Sequence, residues 1–497
     1  MSLMAHNSGQ ISNIYILRPL ILYTLFTIAL LVLIKLLIKD WEKVGLIVTP
    51  LIISNSVFGV LFDQMQKISF LGLNLKHRSI LVIALGLLLG VLIFFVKRAK
   101  GNLTLANKFF SVIGVAAVLI PAFQIGFYEI SNSSLFLKSE NKLSAEVSVI
   151  GPNINSPDIY YFILDGYGRS DVLKKTFKFD NSAFIQELKR MGFYVTDCSR
   201  SNYSFTRPSL SSSLNMDYLE VFAPEVTPDV KNIVALDKYI QHNSVQAKLK
   251  DLGYKTVSFE TGYLFTEFHD ADRYIPTSNF SLMRPYLTPF ERILLDESGF
   301  KLLETIEPIQ SWSAKSSVYE GYLINKNKIE LMNKLDLPSP KFVFVHLTIS
   351  HPPYVFTPDG QFQADTRFYS NDKGRPINEA IGRDGYVNGI TYLNSKLIPM
   401  LKVLQSSTTP PIIILQGDHG NMISQQQEIL NAYYFPDQDY QFLYSTISPV
   451  NSFRVVFNKY FQQSNPLLPD RAYKSNLVNF PYVFTETREK IAGCTVE

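Results

Sequence analysis

The first 130 residues carry four long apolar runs, at 14–37, 44–62, 79–96 and 109–128, separated by short polar segments. A helix needs ~20 apolar residues to cross the hydrocarbon of a bilayer, and these runs are of about that length. The first is broken only by Arg18 and Lys35, near its ends, where long basic side chains can snorkel to the interface. Four such runs in succession predict a multi-pass helical membrane domain. A cleaved leader would show a single, shorter apolar stretch.

Beyond residue 128 the pattern changes. Residues 131–157 are rich in Ser, Asn, Lys and Glu, contain Gly151-Pro152, and read as a linker. From residue 158 short apolar runs alternate with amphipathic stretches. The runs at 159–164 (IYYFIL), 255–259, 342–347 (FVFVHL), 412–415 (IIIL) and 454–457 predict buried strands, and 182–191 and 390–404 predict helices. Such alternation predicts an α/β sandwich with a largely parallel central sheet. The expected plan is therefore membrane helices over 1–130, a linker over 131–157 and one large α/β domain over 158–497. The tail from about Gln426 is rich in Tyr, Phe and Pro; it either shapes a pocket or covers a sheet edge.

Charge sharpens this plan. The chain holds 47 basic and 43 acidic side chains, but the first 150 residues hold 13 and 6 of them, so the remainder is net negative. Without a basic excess on the polar part, a nucleic-acid partner is excluded. Lys35, Lys39 and Lys43 in the first loop, with Lys97, Arg98, Lys100 and Lys108 in the third, outnumber Arg18, Lys67, Lys76 and Arg78 on the other side. The positive-inside rule then places both termini and the polar domain outside. Two cysteines, Cys198 and Cys494, fall there. That location permits a disulfide, and the sequence leaves pairing open.

Ligands of open α/β sheets bind beyond the carboxyl ends of strands. After IYYFIL comes Asp165-Gly166; after FVFVHL, Ser350-His351-Pro352-Pro353; after IIIL, Gln416-Gly417-Asp418-His419-Gly420. Two carboxylates and two imidazoles thus stand at strand exits, and Asp oxygen and His nitrogen are ligands for Zn²⁺ or Mn²⁺. Each fragment alone has an ordinary reading, Asp-Gly as a turn and His-Pro as a loop; their combination in this order points to a metal site. Thr206-Arg207-Pro208-Ser209 stands ahead of a Ser- and Leu-rich stretch that can begin a helix. A hydroxyl there can bind metal and attack an ester, with the helix dipole holding the anion.

The order of strand–Asp-Gly, Thr at a Ser-rich helix start, His-Pro, and strand–Gly-Asp-His-Gly resembles the alkaline phosphatase/sulfatase superfamily over about residues 157–425. Membrane helices followed by an outside domain are similar to lipoteichoic acid synthases, phosphoethanolamine transferases and bacterial membrane-bound sulfatase-like proteins. The resemblance implies Asp165, Thr206, Asp418 and His419 as metal ligands and Thr206 as the transiently esterified nucleophile. It implies His351 as the histidine near the transferred group or leaving alcohol, and Arg207 as an anion contact. His346, inside its strand, faces either the core or the site. In such relatives an apolar segment precedes a stretch like Ala5-His6-Asn7, so a first helix is expected to be absent here.

The chain also departs from sulfatases. Their Cys/Ser-x-Pro-Ser-Arg frame reads Thr206-Arg207-Pro208-Ser209-Leu210 here, and threonine cannot become formylglycine. Asp165 is followed by Gly, not by a second Asp, which leaves the metal number open, with His351, His269 and Asp272 as further candidates. The expectation is a metal-dependent phosphoryl-alcohol transferase of the phosphoethanolamine or phosphoglycerol type. It would be integral to a bacterial cytoplasmic membrane and act outside on envelope lipid or glycan. Mn²⁺ or Zn²⁺ is expected, with Mg²⁺ or Ca²⁺ next. The alternatives are a sulfatase-like hydrolase or phosphodiesterase with water as acceptor, and a non-catalytic glycan-binding domain. Donor, acceptor and oligomeric state are not readable.

Overall fold

The computed structural model describes residues 13–66, 69–70, 73–74, 78–140, 156–277, 281–332, 335, 337–369, 378–421, 427–476 and 479–487. The chain divides into two compact units, Met1–Glu146 with Phe280–Ser317, and Val147–Asn279 with Val318–Glu497.

The first unit contains helices α1 (Leu17–Ile38), α2 (Trp41–Ser56), α3 (Phe58–Gln66), α4 (Arg78–Arg98) and α5 (Thr104–Glu140). Three of them, α1, α4 and α5, hold apolar stretches long enough to cross a membrane. The second apolar run is not one straight rod, because α2 and α3 bend by 53° at their junction. Asn55-Ser56 and Gly59 flank that junction, and small or polar residues of this kind weaken the helical ladder. The α2 start is fixed by Asp40, whose carboxylate accepts from the Glu42 and Lys43 amides. Helix α5 runs into the expected linker as far as Glu140; residues 141–155 lie outside the described residues.

One boundary differs from the sequence expectation. Phe280–Ser317, expected inside the 158–497 domain, belongs to the unit of the membrane helices. It contains helix Pro289–Glu297, which begins on a capping box between Thr288 and Glu291.

The second unit is built on a seven-stranded sheet. Its strands are β1 (Ile159–Leu164), β2 (Tyr194–Val195), β3 (Lys255–Phe259), β4 (Arg273–Ile275), β5 (Lys341–Leu347), β6 (Ile412–Gln416) and β7 (Asn431–Tyr434), in the order β2-β7-β6-β1-β5-β3-β4. Strand β1 lies at the centre, parallel to β5 and β6. Strands β3 and β4 continue the parallel arrangement beyond β5. On the other side β7 pairs antiparallel with β6, and β2 with β7. Every residue of β1, β5 and β6 is buried, so both faces are covered, as their unbroken apolar runs require. The Tyr-rich tail thus supplies a strand that extends the sheet past β6.

The helices of this unit include α6 (Thr206–Asn215), α7 (Glu379–Gln405) and α8 (Pro449–Tyr460). The run 454–457, expected as a strand, lies inside α8. Pro449 opens the helix, and Val450, Phe453, Val456 and Phe457 recur at helical spacing. A four-residue apolar run does not distinguish the two periods.

Strand periodicity sorts side chains by face. Ile159, Tyr161 and Ile163 of β1, Phe342 and Phe344 of β5, and Ile412 and Ile414 of β6 share one core with Leu210 and Leu214 of α6 and Phe453 of α8. A buried polar chain fastens α6 to this face. The Gln416 amide donates to the Tyr161 hydroxyl (2.7 Å), which reaches the Ser213 hydroxyl (3.2 Å).

Candidate metal centre

The same periodicity delivers the site. Continuing β1 by two residues from Ile163 puts Asp165 on the α6 face, and continuing β6 from Gln416 puts Asp418 there. Two glycines allow the approach. Gly166 has φ +67°, and a Cβ on Gly417 would stand 2.5 Å from the Tyr167 carbonyl oxygen. Ser350 donates to the Asp165 carbonyl (2.7 Å), and the Ser209 hydroxyl donates to the Asp418 carbonyl. The loops after β1, β5 and β6 and the first turns of α6 are therefore tied together.

Asp165, Asp418 and His419 are buried, and one ligand atom from each lies within 4.8 Å of the others. His419 Nε2 is 3.5 Å from Asp165 Oδ1 and 3.4 Å from Asp418 Oδ2. The Thr206 hydroxyl, on the first residue of α6, is 3.1 Å from the same nitrogen. His419 Nδ1 faces the Gly420 carbonyl at 2.7 Å and must carry a proton to donate there. In the neutral ring this leaves the Nε2 lone pair directed at the cluster.

Each carboxylate is half satisfied. Asp418 Oδ1 accepts from the Gly166 amide (3.0 Å), and Asp165 Oδ2 faces His346 Nε2 (3.0 Å). Asp165 Oδ1 and Asp418 Oδ2 are buried without a hydrogen-bond partner. Two such anionic oxygens beside an imidazole lone pair are costly unless a cation joins them. Two oxygens, one nitrogen and a neighbouring hydroxyl form a donor set suited to Zn²⁺ or Mn²⁺.

The electrostatics run the same way. Burial raises the Asp165 pKa, but His351, followed by His346 and His419, outweighs it and holds the carboxyl below its ordinary range. Burial lowers the His419 pKa, but Asp418 and Asp165 outweigh it and raise it.

His351 lies above the cluster, partly exposed, its ring centroid 6.4 Å from that of His419. Its Nδ1 faces the Pro352 carbonyl at 2.6 Å, so Nε2 is the end open to a ligand. Arg207 points elsewhere: its guanidinium pairs with Asp237 (2.6 Å) and lies 3.9 Å over the Phe265 ring. His269 pairs with Glu267, and Asp272 with Lys255, apart from the three-ligand group.

Two further residues join the site. His346 is buried between Asp165 Oδ2 and the Thr266 hydroxyl (3.2 Å from Nδ1), and the Lys328 ammonium donates to its carbonyl (2.6 Å). Its signal was present in strand parity, since His346 continues the series Phe342, Phe344. Tyr263 has none in the sequence. Its ring lies 6.5 Å from that of His351, and burial with the Asp165 charge pushes its phenol up to about 12.

Cys198 is disulfide-bonded. The other cysteine, Cys494, lies outside the described residues.

No protein-family model matches the chain, and no curated protein matches it. Among solved structures it is similar to the C-terminal periplasmic domain of EptC from Escherichia coli in complex with zinc. That likeness has 12% identity and a TM-score of 0.41 and covers 67% of this chain and 92% of that one. It is also similar to the integral membrane protein lipooligosaccharide phosphoethanolamine transferase A from Neisseria meningitidis, with 11% identity and a TM-score of 0.38, over 76% of this chain and 69% of that one. The lipoteichoic acid synthase LtaP from Listeria monocytogenes gives 12% identity and a TM-score of 0.37, over 67% and 79%. At 11 or 12% identity such likenesses assign no chemistry to this chain.

Proposed function

We propose that the protein is a membrane-anchored, metal-dependent phosphoryl-alcohol transferase that works through a covalent Thr206 intermediate on cell-envelope lipid or glycan. The observation that carries this is the Thr206 hydroxyl at a helix start, 3.1 Å from His419 Nε2, beside two buried carboxylate oxygens without donors. Asp165, Asp418, His419 and Thr206 would hold the cation. When bound, it would supply Lewis-acid polarisation of the phosphoryl oxygens and favour the alkoxide form of the threonine.

The chain's own residues do the rest. Thr206 Oγ1 attacks phosphorus, forming the O–P bond as the bond to the donor's alcohol breaks. His351 Nε2 gives that alcohol its proton, then takes one from the acceptor hydroxyl as it attacks and frees Thr206. The N-terminus of α6 favours the phosphoryl anion. His346 fixes Asp165 by occupying Oδ2 and leaving Oδ1 for the cation. Arg207, held by Asp237, steadies the α6 start in this reading. A disulfide at Cys198 fits an oxidising compartment and supports the outside placement of this unit, in agreement with the loop charges.

The test uses the full chain in vesicles, metal-loaded, with a head-group-labelled phospholipid and an added alcohol. The expected results are labelled alcohol as product and label on the peptide carrying Thr206, both lost in Thr206→Ala. Full turnover in that variant would overturn the reading, whereas label released only to water would make the enzyme a hydrolase.

A further inference from the structure

In the first unit, Arg18 near the start of α1 is held by the segment Phe280–Ser317. Its guanidinium pairs with Glu291 through Nε (2.6 Å) and Nη2, and donates to the Tyr286 and Arg284 carbonyls (2.9 Å each). Glu291 is the same residue that closes the capping box with Thr288. Both partners are almost fully buried, at 12% and 5% side-chain exposure, so neither charge is left to recruit a polar ligand.

Beside this pair lies a cleft of about 260 Å³. Leu22, Tyr23 and Phe26 of α1 form one wall, and Leu294, Leu295 and Trp312 of the segment form the other. Phe300 meets Tyr23 and Phe26 edge-on. The polar groups at its rim are already engaged. The Trp312 indole donates to the Pro285 carbonyl (3.0 Å), Asn55 donates to the Tyr23 hydroxyl (3.0 Å), and the Ser298 hydroxyl donates to the Leu295 carbonyl (3.2 Å). The cleft therefore offers nothing to water or to a charged ligand. An apolar void left empty forfeits the dispersion contacts of its lining.

What surrounds the cleft decides the occupant. Helix α1 is a membrane span, and Leu22 and Phe26 stand on its open surface one and two turns from its start. The segment itself exposes Leu282, Met283, Leu303 and Ile306, an apolar surface that suits the interfacial zone of a bilayer rather than water. We propose that this cleft is a binding site for one acyl chain of a membrane phospholipid, wedged between α1 and the inserted segment. The inference needs the spans and not the catalytic reading, and its test uses no activity.

The chain has two tryptophans, so Trp41→Phe leaves Trp312 as the sole indole, on the wall of the cleft. That variant of the full chain, in vesicles of phosphatidylethanolamine whose acyl chains are brominated, is expected to show strong quenching of Trp312. Filling the cleft with Leu22→Phe and Leu295→Phe should abolish most of it, whereas Leu33→Phe, on the open surface of the same span, should leave it unchanged. Equal quenching in the filled and control variants would mean surrounding lipid only and would overturn the proposal. So would quenching by aqueous iodide in place of brominated lipid. Independently of any variant, native mass spectrometry of the detergent-purified protein should show one retained phospholipid per chain, and its absence would also overturn the proposal.

Discussion

Asp418→Asn separates the cost of the metal centre from its use. The ligand atoms of Asp165, Asp418 and His419 lie within 4.8 Å of one another. Two unit charges at that separation repel by about 3 kcal/mol at an effective dielectric of ~20. A proton on His419 relieves part of this in the metal-free protein, so about 1–3 kcal/mol remains to be recovered. The asparagine is isosteric. Its oxygen can keep the Gly166 amide bond, and its NH₂ takes the place of the orphaned Oδ2 and can donate towards Asp165 Oδ1. The metal-free variant should therefore be more stable than the metal-free parent, with a melting temperature higher by ~2–6 °C. Saturating Zn²⁺ or Mn²⁺ should reverse the order, because ligand at ~1,000 times its Kd stabilises the parent by about 4 kcal/mol. The measurement is thermal unfolding of both full-length proteins with chelator and with metal. If Asp418→Asn is the less stable protein in chelator and still gains from metal, the two carboxylates are not a cation site.

Further outcomes follow from the same geometry. His419 has its pKa raised above 6.5 by the two aspartates; in the metal-free protein this stabilisation is complete below that value and fades as pH rises through the raised pKa. Metal must displace that proton, so affinity should climb over the same window, with proton release measurable by chelator competition at several pH values. Buried Lys328 has its pKa lowered to about 7 by desolvation. The unfolded state then holds the extra proton between about pH 7 and 10.5, so stability should rise across that window and Lys328→Met should flatten the rise in urea midpoints. His346→Phe should release Asp165 Oδ2 and weaken metal binding ~10–100-fold, read by the same chelator competition; His346→Gln should recover part of it. Unchanged affinity in both would remove His346 from the site.

The sequence made the parallel sheet legible because β1, β5 and β6 are buried on both faces and read as unbroken apolar runs. The cluster at their exits was legible for the same reason, since Asp165 and Asp418-His419 follow those runs directly. The limits were physical. At 454–457 the run was too short to show its period, and α8 became visible only through its partners at 450 and 453. Arg207 looked like an anion contact because its type and place suit one, but Asp237 and Phe265, which claim it, are distant in sequence or weak in pattern. The 280–317 segment has ordinary amphipathic composition, and what joins it to the membrane unit, the Arg18–Glu291 pair and the packing of Phe300 on Tyr23 and Phe26, comes from residues some 270 positions earlier.

That segment changes what it means to cut the protein in two. The chain passes between the units three times, after Glu146, after Asn279 and after Ser317. A protease acting only between residues 146 and 156 would sever one of three covalent ties; the other two join the sheet to residues 280–317, whose hold on residues 1–146 is non-covalent. A fragment starting at residue 156 would carry the whole sheet but also Leu287, Leu294, Leu295 and Glu291, stripped of Pro19, Leu22 and Arg18. It would expose a greasy patch around a carboxylate stripped of its guanidinium, and self-association of that fragment would reflect the cut rather than the native chain.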